Sequence, residues 1–450
     1  MAPVTEPGGI GPAGRWPWVA VLAPILALVW LVDAYSVNAP WQDDWELAPL
    51  LEKQAEGRLG WSDLYAQHNE HRILFPRLAM LTLAGWTRWN LRSQVWLGLT
   101  IAVAGFAVIL WLLARTRELT LPELRPWLPV AVAWTWFSAA QYENWLWGWQ
   151  LQWFLCRLAL LVTIGALVSP GPEAGAHPRV RFGIAALAAA IGSFSFGSGL
   201  LIWVAGAISL LASSQLRGWL GYWVATGGAT WAVYFAGYVA APGRAPWATA
   251  LERPGELFLY ELACLGSNFS MKVGLAAAAG GAVVAIAALA LVRLWRCDRR
   301  RLALAAPWVA LLVFALLEGG VVAASRLGFG LASATSSRYA SISALFTVAA
   351  VVLATVALSA ESTEQPGPER RRGMAFGALL ALLAAGLASG YASGIGEMTQ
   401  HKRRLMEAVI CLSNFEAASD AQLGRFYPDV PKVRRLAHFL RRAGLGGLGR

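Results

Sequence analysis

Three polar clusters interrupt an otherwise apolar chain, and each has residue types that could do chemistry. The first is Trp41-Gln42-Asp43-Asp44-Trp45-Glu46, three carboxylates set between two indoles. One reading makes Asp43 or Asp44 the N-cap of the amphipathic segment WELAPLLEKQAEG, which Gly57 and Gly60 then close. The other makes Asp43 or Asp44 a catalytic general base, its basicity raised by a half-buried site. The second cluster is His68-Asn69-Glu70-His71-Arg72, where two of the five histidines stand at i, i+3, so that on a helix both imidazoles share one face. It fits a solvated interface helix, a divalent-metal pair of His68 and His71 completed by Glu70 or a first-cluster aspartate, or a phosphate cradle with Arg72 as its fork. The third runs from Gln141 to Trp153 and holds Trp145, Trp147, Trp149 and Trp153. An aromatic belt at a membrane surface accounts for the indoles. A carbohydrate site accounts equally for Glu143, Asn144, Trp147 and Gln150, since indole faces stack on sugar C–H groups while amide and carboxylate edges bond hydroxyls.

Smaller motifs accompany these. Ser193-Phe194-Ser195-Phe196-Gly197-Ser198-Gly199 breaks an apolar stretch and reads first as helix packing. Ser336, Ser337 and Arg338 open a later apolar run, and a guanidinium at a helix start opposes the dipole unless an anion lies there, so a donor phosphate fits the three together. Snorkelling to headgroups is the alternative. Arg157, inside another run, must face a partner or a cavity.

The elements that position these clusters follow from composition. The 450 residues are 57% hydrophobic and 14% charged, against about 25% charge in soluble domains, which leaves a polytopic membrane protein. The net charge of +11 lies largely as arginine in short loops between apolar runs, where it orients helices, so no nucleic-acid partner is expected. Four cysteines without a CxxC exclude a zinc module or redox pair. Runs near the 20 residues that span a bilayer fall at 16–36, 93–114, 127–141, 149–168, 180–195, 198–212, 219–240, 272–292, 305–324, 339–359 and 374–393. The expected fold is therefore an all-α transmembrane bundle of about eleven spans, within a range of about ten to thirteen. Residues 1–393 form the bundle, 37–92 an amphipathic first outer loop, and 394–450 a basic tail. The loop arginines place the N-terminus in the cytoplasm and every unusual polar cluster outside. An odd helix count then puts the tail outside as well, where Cys264 and Cys411 could form a disulfide; a count off by one would put the basic tail inside.

In order, these features resemble the GT-C superfamily of integral-membrane glycosyltransferases, in its bacterial branch related to mannosyl- and aminoarabinose-transferases. The resemblance rests on Asp43 and Asp44 in the first outer loop, the HNEHR segment, the ENWLWGWQLQ stretch at 143–152, the SFxxGLLIW stretch within 194–203 and SSRY at 336–339. It implies a polyprenyl-phosphate-linked sugar as donor, used at the outer face of a bacterial-type plasma membrane. A first-loop aspartate would act on the acceptor hydroxyl or the leaving phosphate. The acceptor would be a glycan, a lipid or a protein. No cofactor is implied beyond the divalent ion that the histidine pair could hold. The rival classes are a flippase for lipid-linked glycans, with charges lining a path at mid-membrane, and a non-catalytic scaffold of an envelope-assembly complex.

Overall fold

The computed structural model describes residues 16–168, 177–213, 215–240, 250, 252–360 and 369–448. Over these the chain is an all-α bundle, its only strands among the described residues being a two-residue hairpin, Gln67–His68 with His71–Arg72. Among the described residues seven helices are long and apolar enough to cross a membrane: Pro17–Tyr35, Leu91–Arg115, Gly148–Leu167, Val273–Cys297, Ala306–Phe329, Ser337–Ser359 and Arg371–Ser413. The other four expected spans are shorter helices: Trp127–Trp136, Pro178–Ser193, Ile202–Ala212 and Leu220–Phe235. Their apolar runs are cut by Phe137-Ser138, where the Ser138 hydroxyl accepts the Ala140 N–H, by the Ser193–Gly199 turn and by Ala236-Gly237, where Gly237 takes a positive φ of 65°.

Ala340–Ser359 is the central post, apolar on all faces and buried along nearly its whole length, as a helix hydrophobic all round should be. Around it pack the helices that begin at Trp127, Val273 and Ala306, together with Pro254–Gly266, a helix the apolar pattern does not flag as a span. Gly266 and Gly280 let that helix and Val273–Cys297 touch at the backbone, because a Cβ on either would stand within 2.0 Å of a carbonyl oxygen across the crossing.

A second, separate apolar cluster sits at one end of the bundle. Trp45, Leu47, Ala48 and Leu51 from the first loop join Trp89, Trp147 and Trp149, and the tail supplies Phe415, Phe426, Val433, Leu436 and Leu440. The tail boundary expected at residue 394 falls inside a continuous helix, Arg371–Ser413. Its 43 residues extend about 65 Å at 1.5 Å per residue, twice the ~30 Å of a bilayer core, so its second half rises beyond the bundle. The tail then folds back through Asp420–Leu423 and Val430–Ala443 onto the first loop. Lys402 Nζ donates to the Ala34 carbonyl at 2.7 Å, and the Gln42 N–H to the Phe426 carbonyl at 2.8 Å. Tail and first loop therefore share one end. The opposite end gathers Arg293 and Arg301 on the carbonyls of Ala357, Ser359 and Ala360.

The disulfide between Cys264 and Cys411 does not form: both thiols are free. Cys264 is buried in the bundle core, whereas Cys411 packs against the second cluster.

Candidate functional site

The first loop reaches the site through a tight turn. Residues Gln42–Glu46 form a five-residue 3₁₀ segment, entered by Gln42 in the left-handed region at φ +49°. Within it the two aspartates part company. Asp44 is 3% exposed, and its Oδ2 accepts the Trp41 N–H at 3.0 Å. Burial raises its pKa well above the usual carboxylate range, and Asp43 pushes the same way. The Trp41 amide and the Trp147 indole oppose the rise without cancelling it. The side chain of Asp43 is 36% exposed, and its Oδ2 stands 3.8 Å from His68 Nε2. Asp44 thus closes the turn on Trp41 while Asp43 faces out, and neither caps the amphipathic helix Ala48–Ala55, whose N-cap Leu47 receives no side-chain bond.

The HNEHR segment is a β-hairpin and not the helix on which i, i+3 spacing would align the imidazoles. His68 pairs across it with His71, and Asn69 takes a positive φ of 49° at the turn. His68 meets Trp149 edge-on at 5.0 Å. His71 is sandwiched against Phe196, ring centroids 4.3 Å apart, and burial pulls its pKa down to about 4. It is neutral at physiological pH. Glu70 pairs with Arg326, at the end of the helix that starts at Ala306. The Ser193–Gly199 motif forms the floor here, since a Cβ on Gly197 would lie 2.6 Å from His71 Nδ1. Asp43, Glu70, His68 and Arg326 all act electrostatically on His71, which places them in one cluster.

Arg72 is turned away from that cluster. Its Nε donates to the Tyr234 carbonyl at 2.6 Å, Nη1 to Tyr65 at 3.0 Å and Nη2 to Ala236 at 2.6 Å, with the Tyr65 ring 4.3 Å from its Cζ. The expected phosphate fork is spent on the open carbonyls at the end of Leu220–Phe235, which need cationic or N–H partners. The structure therefore corrects Arg72 to a tether. Arg72 also lines a cavity of about 560 Å³, together with Ser62, Gln67, Asn69, Ala236 and Val239; Asp43 is not among its lining residues.

At the third cluster, Glu143 also has a local partner. Its Oε2 accepts the Ser337 hydroxyl at 2.8 Å and the Arg338 N–H at 3.3 Å, capping the turn before the central helix. The anion that the sequence demanded for Arg338 is thus partly internal, and the Ser337 hydroxyl is committed. Ser336 is half-buried and starts the same turn. The Arg338 guanidinium leans over the Tyr339 ring at 5.5 Å and makes no ion pair among the described residues, although Glu143 and Asp43 both act on it. Asn144 donates to the Arg338 carbonyl at 3.1 Å. Asn144, Trp147 and Gln150 are buried, so they underlie the site and do not line its surface.

Among the described residues no three of His, Cys, Asp and Glu gather as a metal-ligand set. His68 and His71 diverge to different carboxylates, Asp43 and Glu70. Residues that sequence spacing could not nominate are Arg326, which meets Glu70, and His401 of the long helix, which lies against Trp41 and Tyr142 at 6.0 and 6.2 Å. Deeper in the bundle Arg157 finds its partner in Glu318 at 2.5 Å, the two side chains 3% and 0% exposed.

No family model matches this sequence, and no curated protein or solved structure matches it. The geometry above therefore carries the functional argument.

Proposed function

We propose that the protein is a glycosyltransferase of the GT-C type, moving a sugar from a polyprenyl-phosphate donor to a glycan, lipid or protein acceptor at the outer face of a bacterial-type plasma membrane, with its N-terminus cytoplasmic. The observation that supports this most is the placing of Asp43: a carboxylate at 36% side-chain exposure, beside His68 and within electrostatic reach of Arg338. The reaction needs such a pair, a base for the incoming hydroxyl and a cation for the departing phosphate. Asp43 takes the acceptor proton as the hydroxyl oxygen attacks the anomeric carbon. The anomeric C–O bond breaks, and polyprenyl phosphate leaves with the bonding electrons toward Arg338. Ser336 lies at the same turn for a phosphate oxygen. A single displacement of this kind inverts the anomeric centre.

The test is reconstitution in liposomes with a radiolabelled polyprenyl-phosphate sugar and an extract of envelope acceptors. Label should leave the lipid fraction with the wild-type chain and stay there with Asp43→Asn. A flippase for lipid-linked glycans is the second reading, favoured by the Arg157–Glu318 pair inside the bundle. It requires labelled lipid to change leaflets with its sugar bond intact, which the same liposomes report.

A further inference from the structure

The turn that carries Asp43 is held at both ends by the C-terminal tail. At its entry, the Gln42 N–H donates to the Phe426 carbonyl at 2.8 Å, and this bond sits on a residue whose positive φ is a conformation that non-glycine residues avoid. At its exit, Glu46 Oε1 accepts from the Tyr427 hydroxyl and from Lys432 Nζ, the latter at 2.7 Å. Trp41, just before the turn, packs on the Phe426 ring at 6.1 Å. Asp43 lies between these anchors, and its own nearest ionisable neighbour is His68 at 3.8 Å.

The tail is itself seated by contacts outside the turn. The apolar face of Val430–Ala443 is buried against first-loop residues. Beyond it, Gly446 donates its N–H to the Arg88 carbonyl and lies so close to Trp89 that a Cβ would be 3.0 Å from the ring. The seat therefore does not depend on Glu46 alone, and removing one clasp bond should shift the turn without unfolding the tail.

We infer that Tyr427 and Lys432 are positioning residues, which set the place of Asp43 by clamping Glu46 while the Phe426 carbonyl clamps Gln42. This deepens the proposed transferase reading and rests on it for the task of Asp43, but the clamp can be tested without any substrate. Asp43→Cys is made in a chain carrying Cys297→Ser and Cys411→Ala, and its labelling by a membrane-impermeant maleimide is timed. Lys432→Ala and Tyr427→Phe should each speed labelling several-fold. Lys432→Arg should restore the slow rate, and Arg435→Ala should leave it slow because Arg435 pairs with Glu52 outside the turn. Equal rates in all variants would overturn the inference. In the native-Asp43 chain, the clasp variants should lower kcat with KM little changed. Faster labelling with an unchanged kcat would also overturn it, making the clasp merely structural. Failure of the transferase reading appears separately, as label that stays in the lipid fraction with the wild-type chain, and leaves the labelling comparison standing.

Discussion

Asp43 and Asp44 are adjacent in the chain, yet one carboxylate faces His68 at 3.8 Å while the other bonds the Trp41 amide at 3.0 Å from a buried site. A five-residue 3₁₀ turn sends consecutive side chains about 120° apart, so neighbours reach different surroundings. This divergence yields opposite expectations for two otherwise equivalent substitutions.

Asp43→Asn should lower sugar transfer by about a hundredfold or more, the usual scale for losing a general base, with normal expression. Asp44→Asn keeps the shape and should stay within a few-fold of wild type. Transfer assays on both variants decide the matter, and the reverse pattern would exchange their roles.

Asp44 also predicts a direction for pH. Its folded pKa is raised by burial, so the folded state binds its proton more tightly than the unfolded chain does. The stabilisation is fully present below the unfolded aspartate pKa of about 3.9 and is lost as pH rises from there through the folded value. Asp44→Asn should flatten that decline, as read by thermal unfolding in detergent across pH.

The tail clasp responds in the other sense. Burial pushes the Glu46 carboxyl up, but the hydrogen bonds from Lys432 and Tyr427 outweigh it and hold the pKa below its ordinary value. His68 favours the ionised form too, and Asp43 and Asp429 face Tyr427. The stabilisation is present above the unfolded carboxylate pKa of about 4.3 and is lost as pH falls through the folded one. Hydrogen-exchange protection over residues 420–448, taken relative to the intrinsic exchange rate at each pH, should fall on acidification in wild type, and Glu46→Gln should show the reduced protection already at neutral pH.

Breaking the Arg157–Glu318 pair should cost about 3–5 kcal/mol for either single replacement by an apolar residue, because the remaining charge is buried without its partner. The double replacement Arg157→Met, Glu318→Leu should recover much of that loss. Thermal unfolding of the three variants measures it, and a double variant no better than the worse single one would show that the pair does more than satisfy itself.

Arg338 and Arg72 should separate cleanly. Arg338→Lys keeps the charge but loses the planar fork, so donor affinity should fall, and fall further in Arg338→Ala. Arg72→Lys leaves carbonyls of Tyr65, Tyr234 and Ala236 short of donors and should lower stability with donor affinity little changed. Binding of a polyprenyl phosphate to the purified variants tests this, and equal donor losses in both would return Arg72 to the phosphate site.

Apolar length and charge placement by themselves determined the class of this protein, an all-α bundle with helices fit to cross a membrane, because burial in lipid is set by composition along short windows. They likewise marked the first loop, the HNEHR segment and the residues around Glu143 as unusual. Spacing could not say that HNEHR closes as a hairpin, since a two-residue turn with Asn69 at positive φ competes locally with a helix and tertiary partners choose between them. Nor could it say that Glu143 caps the turn at Ser337, 194 residues away, or that the tail's Phe426, Tyr427 and Lys432 hold the turn bearing Asp43. Those relations arise from packing helices distant in the chain, and only the folded bundle decides which of the polar groups find one another and which, like Asp43, are left facing outward.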